Sequence, residues 1–403
     1  MAQIEQIEIK NYKVLADVAL GRPYRAATPQ RAAAQEVLIG PFSVFLGPNG
    51  CGKSTLFDVF GFLAQCLQTN VSEALAQRGG FQEVRSREKT GAIEFVIKYR
   101  VQRTDPLMTY ELHIDEVKGK PVVIKEQLQW RRSAYGKPFK FLDFEYGSGT
   151  AVTGTEESDA LRSTQEVDRP DILAIKGLGQ LASYPRIASL RRFIEGWFLS
   201  YFVPNRAREL PDIGYAEHLS REGDNLSNYT RYLSDQHQSV FNNILDKLAQ
   251  RIPRLEKVRA QVTADGRVML QFKDKSFSQP FVARFVSDGT VKMFAYLALL
   301  NDPNPPPLLC IEEPENGLHP QLLQILVAEF RAHSQHTQVF MSSHSPHLVN
   351  YLQPKELWLM DRVIDGYTRI KLSTETPGVT EFLEEGLPLG ELWVSKHLDG
   401  GTL

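Results

Sequence analysis

Eight residues, Gly47-Pro48-Asn49-Gly50-Cys51-Gly52-Lys53-Ser54, narrow the choice of fold more than any other stretch of this chain. They fit G-x-x-x-x-G-K-[ST]. In front lies an apolar, strand-like segment, Phe42 to Leu46, and behind them Leu56, Val59, Phe60, Leu63 and Leu67 recur at helical spacing. Strand, glycine loop and helix in that order let backbone N–H groups converge on a polyphosphate, with the positive end of the helix behind them. The expected roles follow from the chemistry. Gly47, Asn49, Gly50, Cys51 and Gly52 form the cradle, Lys53 reaches the β/γ-phosphates, Ser54 ligates Mg²⁺ and Thr55 takes another phosphate oxygen. The implied ligands are ATP and Mg²⁺.

Two later segments supply what a phosphate loop lacks. Leu308-Leu309-Cys310-Ile311-Glu312-Glu313-Pro314 is an apolar strand ending in paired carboxylates, which a buried strand delivers to the sheet edge where phosphates bind. Glu312 is expected to hold Mg²⁺, and Glu313 to orient or deprotonate the attacking water. A further strand ends in Phe340-Met341-Ser342-Ser343-His344-Ser345-Pro346-His347. There the imidazole of His344 can donate to the γ-phosphate and sense its loss. His347 has no completing Cys or carboxylate and reads as structural. Between these segments and the phosphate loop, Phe285 to Lys292 precedes an apolar helical run. Ser287 or Asp288 can cap that helix; the segment reads either as a plain N-cap or as a helix end aimed at ATP on another subunit.

The rest of the chain reads as an α/β fold of three parts. Residues 1–175 make the N-terminal half of a nucleotide-binding head, with two short strands joined at Asn11-Tyr12-Lys13, a surface insertion at Arg22 to Glu36, an antiparallel meander from 91 to about 145, and a Gly-, Ser- and acid-rich mobile loop at 146–170. Residues 176–256 read as an inserted helical lobe, with helical patterns in RRFIEGWFLSYF and NYTRYLSDQHQSVFNNILDKLAQ. It has neither long heptads nor repeats. Residues 257–403 restore strand-helix alternation and hence a mostly parallel sheet, so that the two halves are expected to meet across the lobe. The net charge of −2 argues against a uniformly basic nucleic-acid coat. Three scattered cysteines, Cys51, Cys66 and Cys310, suit a reducing cytoplasm, and no run is apolar enough for a membrane helix or a leader. The expected location is cytoplasmic.

The order of phosphate loop, SDGT, LLCIEEPENGLHP and SSHSPH resembles the ABC-type heads of the SMC, RecF and overcoming-lysogenization-defect ATPases. More specifically, the chain resembles bacterial SMC-like AAA ATPases that include ATPase subunits of antiphage systems such as PARIS. RGGFQEVRSR and HLSREGDNLSNY share in this likeness. The resemblance implies a nucleotide held between two heads, with Lys53, Glu313 and His344 catalytic on one and Ser287 and Gly289 acting in trans from the other. Asn316, Gly317 and Leu318 would form the loop crossing the dimer. It implies a homodimer or higher oligomer that controls an effector, such as a TOPRIM-like nuclease. The stretch after His344 is shorter than the roughly 100 residues of a typical domain, so that effector is expected to be another polypeptide. The tail acids Glu381, Glu384, Glu385 and Glu391 read as a solvated face.

Two positions depart from the pattern: Glu312 stands where many relatives carry Asp, and either Gln77 or Gln82 could be the Mg²⁺-touching glutamine. Lys13 resembles a basic residue near the nucleotide, though a surface lysine is the simpler reading. The competing expectation is a RecF-like DNA-repair clamp using Arg191, Arg192, Arg206, Arg208, Arg251 and Arg254; ion pairs are the simpler reading of scattered arginines. A transporter ATPase is disfavoured by the large inserted lobe and the absence of LSGGQ.

Overall fold

In the computed structural model the described residues are 2–21, 38–131 and 137–398, and the insertion expected at Arg22 to Glu36 lies outside them. The chain divides into two compact units. One comprises residues 1–197, 354–379 and 398–403; the other comprises residues 198–353 and 380–397.

The first unit is dominated by an antiparallel sheet. Its spatial order is Leu15–Leu20, Gln3–Tyr12, Ile93–Arg100, Leu107–Val117, Lys120–Arg131, Phe139–Glu145, Ser148–Val152 and Arg162–Glu166. Along Ile93–Arg100 every second residue is buried, so Ile93, Phe95, Ile97 and Tyr99 form the core face. The meander does not stop near 145 as expected. Ser148–Val152 and Arg162–Glu166 extend it where a loop was read, and because no position of the outer strand is fully buried, an edge strand of this kind carries no apolar alternation to detect.

A second piece of the same unit positions the phosphate loop. Phe42–Leu46 is buried at all five positions and runs parallel to Leu357–Arg362, which turns back on Thr368–Leu372. Burial on both faces is why Phe42–Leu46 and the segment Leu357 to Met360 read as continuous apolar runs. The helix Lys53–Gln68 then buries Leu56, Val59, Phe60, Leu63 and Leu67, with Phe60 edge-on to Trp197.

In the second unit Phe198–Ser200, Leu308–Glu312 and Gln338–Ser343 pair in parallel. The helices Asp288–Leu300 and Pro320–His333 belong to the same unit, as do the helices Leu226–Gln236 and Gln238–Arg251 and a small antiparallel sheet of Leu255–Val262, Val268–Asp274 and Phe281–Val282. The run RRFIEGWFLSYF is only partly helical: the helix ends at Glu195 with Gly196 as its C-cap, and Phe198–Ser200 is a strand. Aromatic-rich segments suit either state, and the glycine marks the change.

Candidate nucleotide site

The phosphate loop of the first unit has the geometry its glycines predict. Gly50 and Gly52 sit at φ 80° and 106°, a region that favours glycine. Gly52 caps the helix and has no side chain to bond its first turn, so the N-cap residue itself does not compete with an anion there. A Cβ added to Gly50 would meet nothing within 4 Å; the loop is open there, and Pro48, Asn49 and Ser54 are exposed while Thr55 is half-buried. Lys53 is almost wholly buried. Its ammonium donates to the carbonyls of Gly47 (2.8 Å) and Pro48 (3.0 Å), folded back on the loop it would share with a triphosphate. The Cys51 carbonyl accepts from Thr368 Oγ1 at 2.7 Å, which ties the loop to the hairpin behind it. Burial raises the Cys51 thiol above its ordinary pKa, so this cysteine contributes its backbone and not a thiolate. An uncapped helix start, an open glycine loop and a lysine and serine beside it form a donor set that fits a magnesium-bound triphosphate.

The acids and histidine belong to the second unit and converge within it. Glu312 is the half-buried last residue of its strand. Glu313 follows at φ 42°, a left-handed conformation rare for a side chain of this kind. Its N–H donates to the Ser342 carbonyl at 3.1 Å. Both carboxylate oxygens are engaged: His344 Nδ1 lies 3.1 Å from Oε1, and Asn316 Nδ2 donates to Oε2 at 2.8 Å. Buried Glu315 accepts from Ser343 Oγ at 2.6 Å and from the His344 N–H at 3.2 Å. The ring of His344 is exposed, and so is His347.

The cap left open by sequence is Ser287, whose Oγ accepts from the Thr290 N–H at 3.3 Å. Asp288 is the first helical residue and is held by Arg208, which also donates to the Val286 carbonyl at 2.7 Å. Gly289 packs on the loop after the acids: an added Cβ would stand 3.1 Å from the Gly317 carbonyl. A residue missed by sequence reading joins these parts. Lys292, buried in the same helix, donates to the carbonyls of Asn316 (2.8 Å) and Glu313 (3.4 Å). The signal was a lone charge inside Val291 to Leu300, an otherwise apolar run.

Gln77 bonds Gln65, and Gln82 lies between Arg85 and Glu116. Lys13 is no ordinary surface lysine: it pairs at 2.6 Å with Asp58 on the phosphate-loop helix, which Tyr12 and Arg78 also contact. Arg191 pairs with Glu195, Arg206 with Glu209 and Glu222, Arg208 with Asp288 and Arg251 with Glu329. Arg192 donates to the Ala188 carbonyl of its own helix. The acids Glu381, Glu384, Glu385 and Glu391 are all exposed, and the three cysteines are buried and unbridged. Among the described residues no helix is long and apolar enough to cross a membrane.

The fold is that of an SMC-like ABC-type ATPase head. A head of an SMC protein bound to the C-terminal winged-helix domain of ScpA matches at 11% identity and TM-score 0.53, covering 91% of this chain and 96% of that one. The Pyrococcus furiosus Smc head with an extended coiled coil, bound to the C-terminal domain of ScpA, matches at 12% identity and TM-score 0.51, covering 96% and 99%. The chain belongs to the family described as "AAA domain, putative AbiEii toxin, Type IV TA system", whose model matches residues 42–350. A comparison with curated proteins finds no match.

Proposed function

We propose that this ATPase head binds and hydrolyses ATP with Mg²⁺, closes with a second copy around the nucleotide, and thereby controls a separate effector in bacterial antiphage defence. The observation that carries the enzymatic reading is the state of Glu313. A carboxylate with one oxygen on an imidazole and the other on an amide is fixed in orientation, as a group that aligns or deprotonates a water must be. Bound Mg²⁺ would supply charge neutralisation between phosphate oxygens, with Ser54 and Glu312 as its protein ligands. Lys53 would exchange its two loop carbonyls for phosphate oxygens, Gly47, Asn49, Gly50, Cys51 and Gly52 would present backbone around them, and Thr55 would take a further oxygen. His344, exposed and linked to Glu313, would report the γ-phosphate.

The reading that Ser287 and Gly289 face the partner's nucleotide rests on the likeness of the motif order; Ser287 caps its own helix start, and its hydroxyl and the Gly289 backbone would be the groups presented. The antiphage role and the effector, a TOPRIM-like nuclease being one candidate, rest on the likeness of the motifs to ATPase subunits of such systems; a cytoplasmic location accords with them.

The test compares purified wild type, Lys53→Ala and Glu313→Gln for ATP binding and phosphate release. Lys53→Ala should weaken ATP binding by about tenfold or more, and Glu313→Gln should keep binding while turnover falls by about 100-fold. Equal turnover in all three proteins would overturn the assignment.

A further inference from the structure

We propose that Lys292 is a positioning residue through which the helix Asp288–Leu300 holds Glu313 in register for its work on water. The inference rests on the ATPase reading above and adds a residue that neither the phosphate loop nor the acid pair contains.

A charge in this place is costly. Lys292 is 3% exposed in a helix whose other residues from Val291 to Leu300 are apolar or aromatic and buried, and an ammonium placed there loses its hydration. A methionine of the same reach would pack without that penalty. What the charge obtains is specific. Nζ meets the carbonyls of Asn316 and Glu313 at 2.8 and 3.4 Å and lies 5.7 Å from the Tyr296 ring centroid. The carboxylates of Glu315, Glu313 and Asp288 surround it with opposite charge; burial nevertheless lowers its pKa to about 8.

The two carbonyls matter because of what they belong to. Glu313 has a left-handed backbone at φ 42°, a conformation that persists only where its surroundings hold it. Ser342 secures its N–H and Lys292 its carbonyl side. The second carbonyl is that of Asn316, whose amide orients the Glu313 carboxylate. One ammonium therefore braces both the residue and the group that aims it. Lys292 lies five residues after Ser287, about 7.5 Å along the axis, so a shift of the helix start moves the brace and with it the carboxylate.

The experiment measures steady-state ATP hydrolysis and nucleotide affinity of the full chain as wild type, Lys292→Met, Lys292→Arg, Glu313→Gln and the double variant Lys292→Met/Glu313→Gln. Lys292→Met should lower kcat by about tenfold or more with KM and ATP affinity within about twofold, and Lys292→Arg should recover most of the loss. In the Glu313→Gln background Lys292→Met should have no further effect, because the lysine acts through that acid. Unchanged kcat in Lys292→Met, a KM that rises in step, or losses that multiply in the double variant would each overturn the proposal. If Lys292→Met does not fold, Lys292→Gln is read by the same criteria. A wild type that neither binds nor hydrolyses ATP removes the ATPase reading itself, whereas an active wild type with an indifferent Lys292→Met removes only this inference.

Discussion

The glycines of the phosphate loop are required for different reasons. A Cβ on Gly47 would lie 2.3 Å from the Met360 carbonyl and 2.5 Å from Cys51 Sγ, and the backbone carbonyl of a buried strand residue cannot easily step aside. Gly50 has open space around it and needs only its φ of 80°. Gly47→Ala should therefore destabilise the chain by about 2 kcal/mol or more, and Gly50→Ala by about 1 kcal/mol, the strain of one left-handed residue. Urea unfolding of the two variants decides it; a larger loss in Gly50→Ala would reverse the argument. The motif gave both residues equal standing, because spacing records that glycine is needed without recording whether space or dihedral requires it. Lys292 is the opposite case. Its charge was legible as an oddity in an apolar helix, but its partners are two main-chain carbonyls, and main-chain acceptors leave no residue-type trace in a sequence.

At the scale of elements, the strand Lys120–Arg131 carries a buried acid into the core of the first unit. Glu126 accepts from the N–H groups of Ala174 and Ile175, at the start of the short helix Ala174–Leu178, and from Tyr110 Oη. Burial outweighs these donors and raises its pKa from 4.5 to about 7. A carboxylate whose folded-state pKa is raised costs nothing below the unfolded value. Its penalty grows as pH climbs from about 4.5 to about 7 and is complete above that. Stability should fall across that window by up to about 3 kcal/mol for this group, and Glu126→Gln, whatever its constant offset, should lack that component. Chemical unfolding of both proteins at pH 5 and pH 7.5 tests this, and parallel pH dependence would refute it. Glu111 works in the other direction: His113 and Lys125 hold its pKa down to about 2, so its contribution is present above the unfolded value and disappears as pH falls toward 2. Elements with one buried face were readable, as Ile93–Arg100 and Lys53–Gln68 attest. Ser148–Val152 and Arg162–Glu166 were not, because short strands of Ser, Thr, Gly and charged residues at and beside a sheet edge share their composition with loops.

For the whole molecule, the sequence order of motifs was enough to reach an SMC-like head, since phosphate loop, capped helix, acids and histidine each sit on the expected kind of element. Mixing two inactive variants decides whether Ser287 serves its own nucleotide or that of a second copy. Symmetry makes the alternatives numerically distinct. Take Lys53→Ala, which disables the phosphate loop, and Ser287→Arg, which blocks the helix start; each alone should be inactive. If the two surfaces act in trans, a mixed dimer has one site with both lesions and one with neither. Random pairing of equal amounts then leaves up to about a quarter of all sites intact, so mixing should restore up to about a quarter of wild-type turnover. If both surfaces act in cis, every site in every pairing carries one lesion, and mixing restores nothing. Phosphate release from the separate and mixed proteins at saturating ATP, with light scattering to confirm that the mixture associates, separates the two cases: absence of recovery in an associating mixture would rule out the shared-nucleotide dimer.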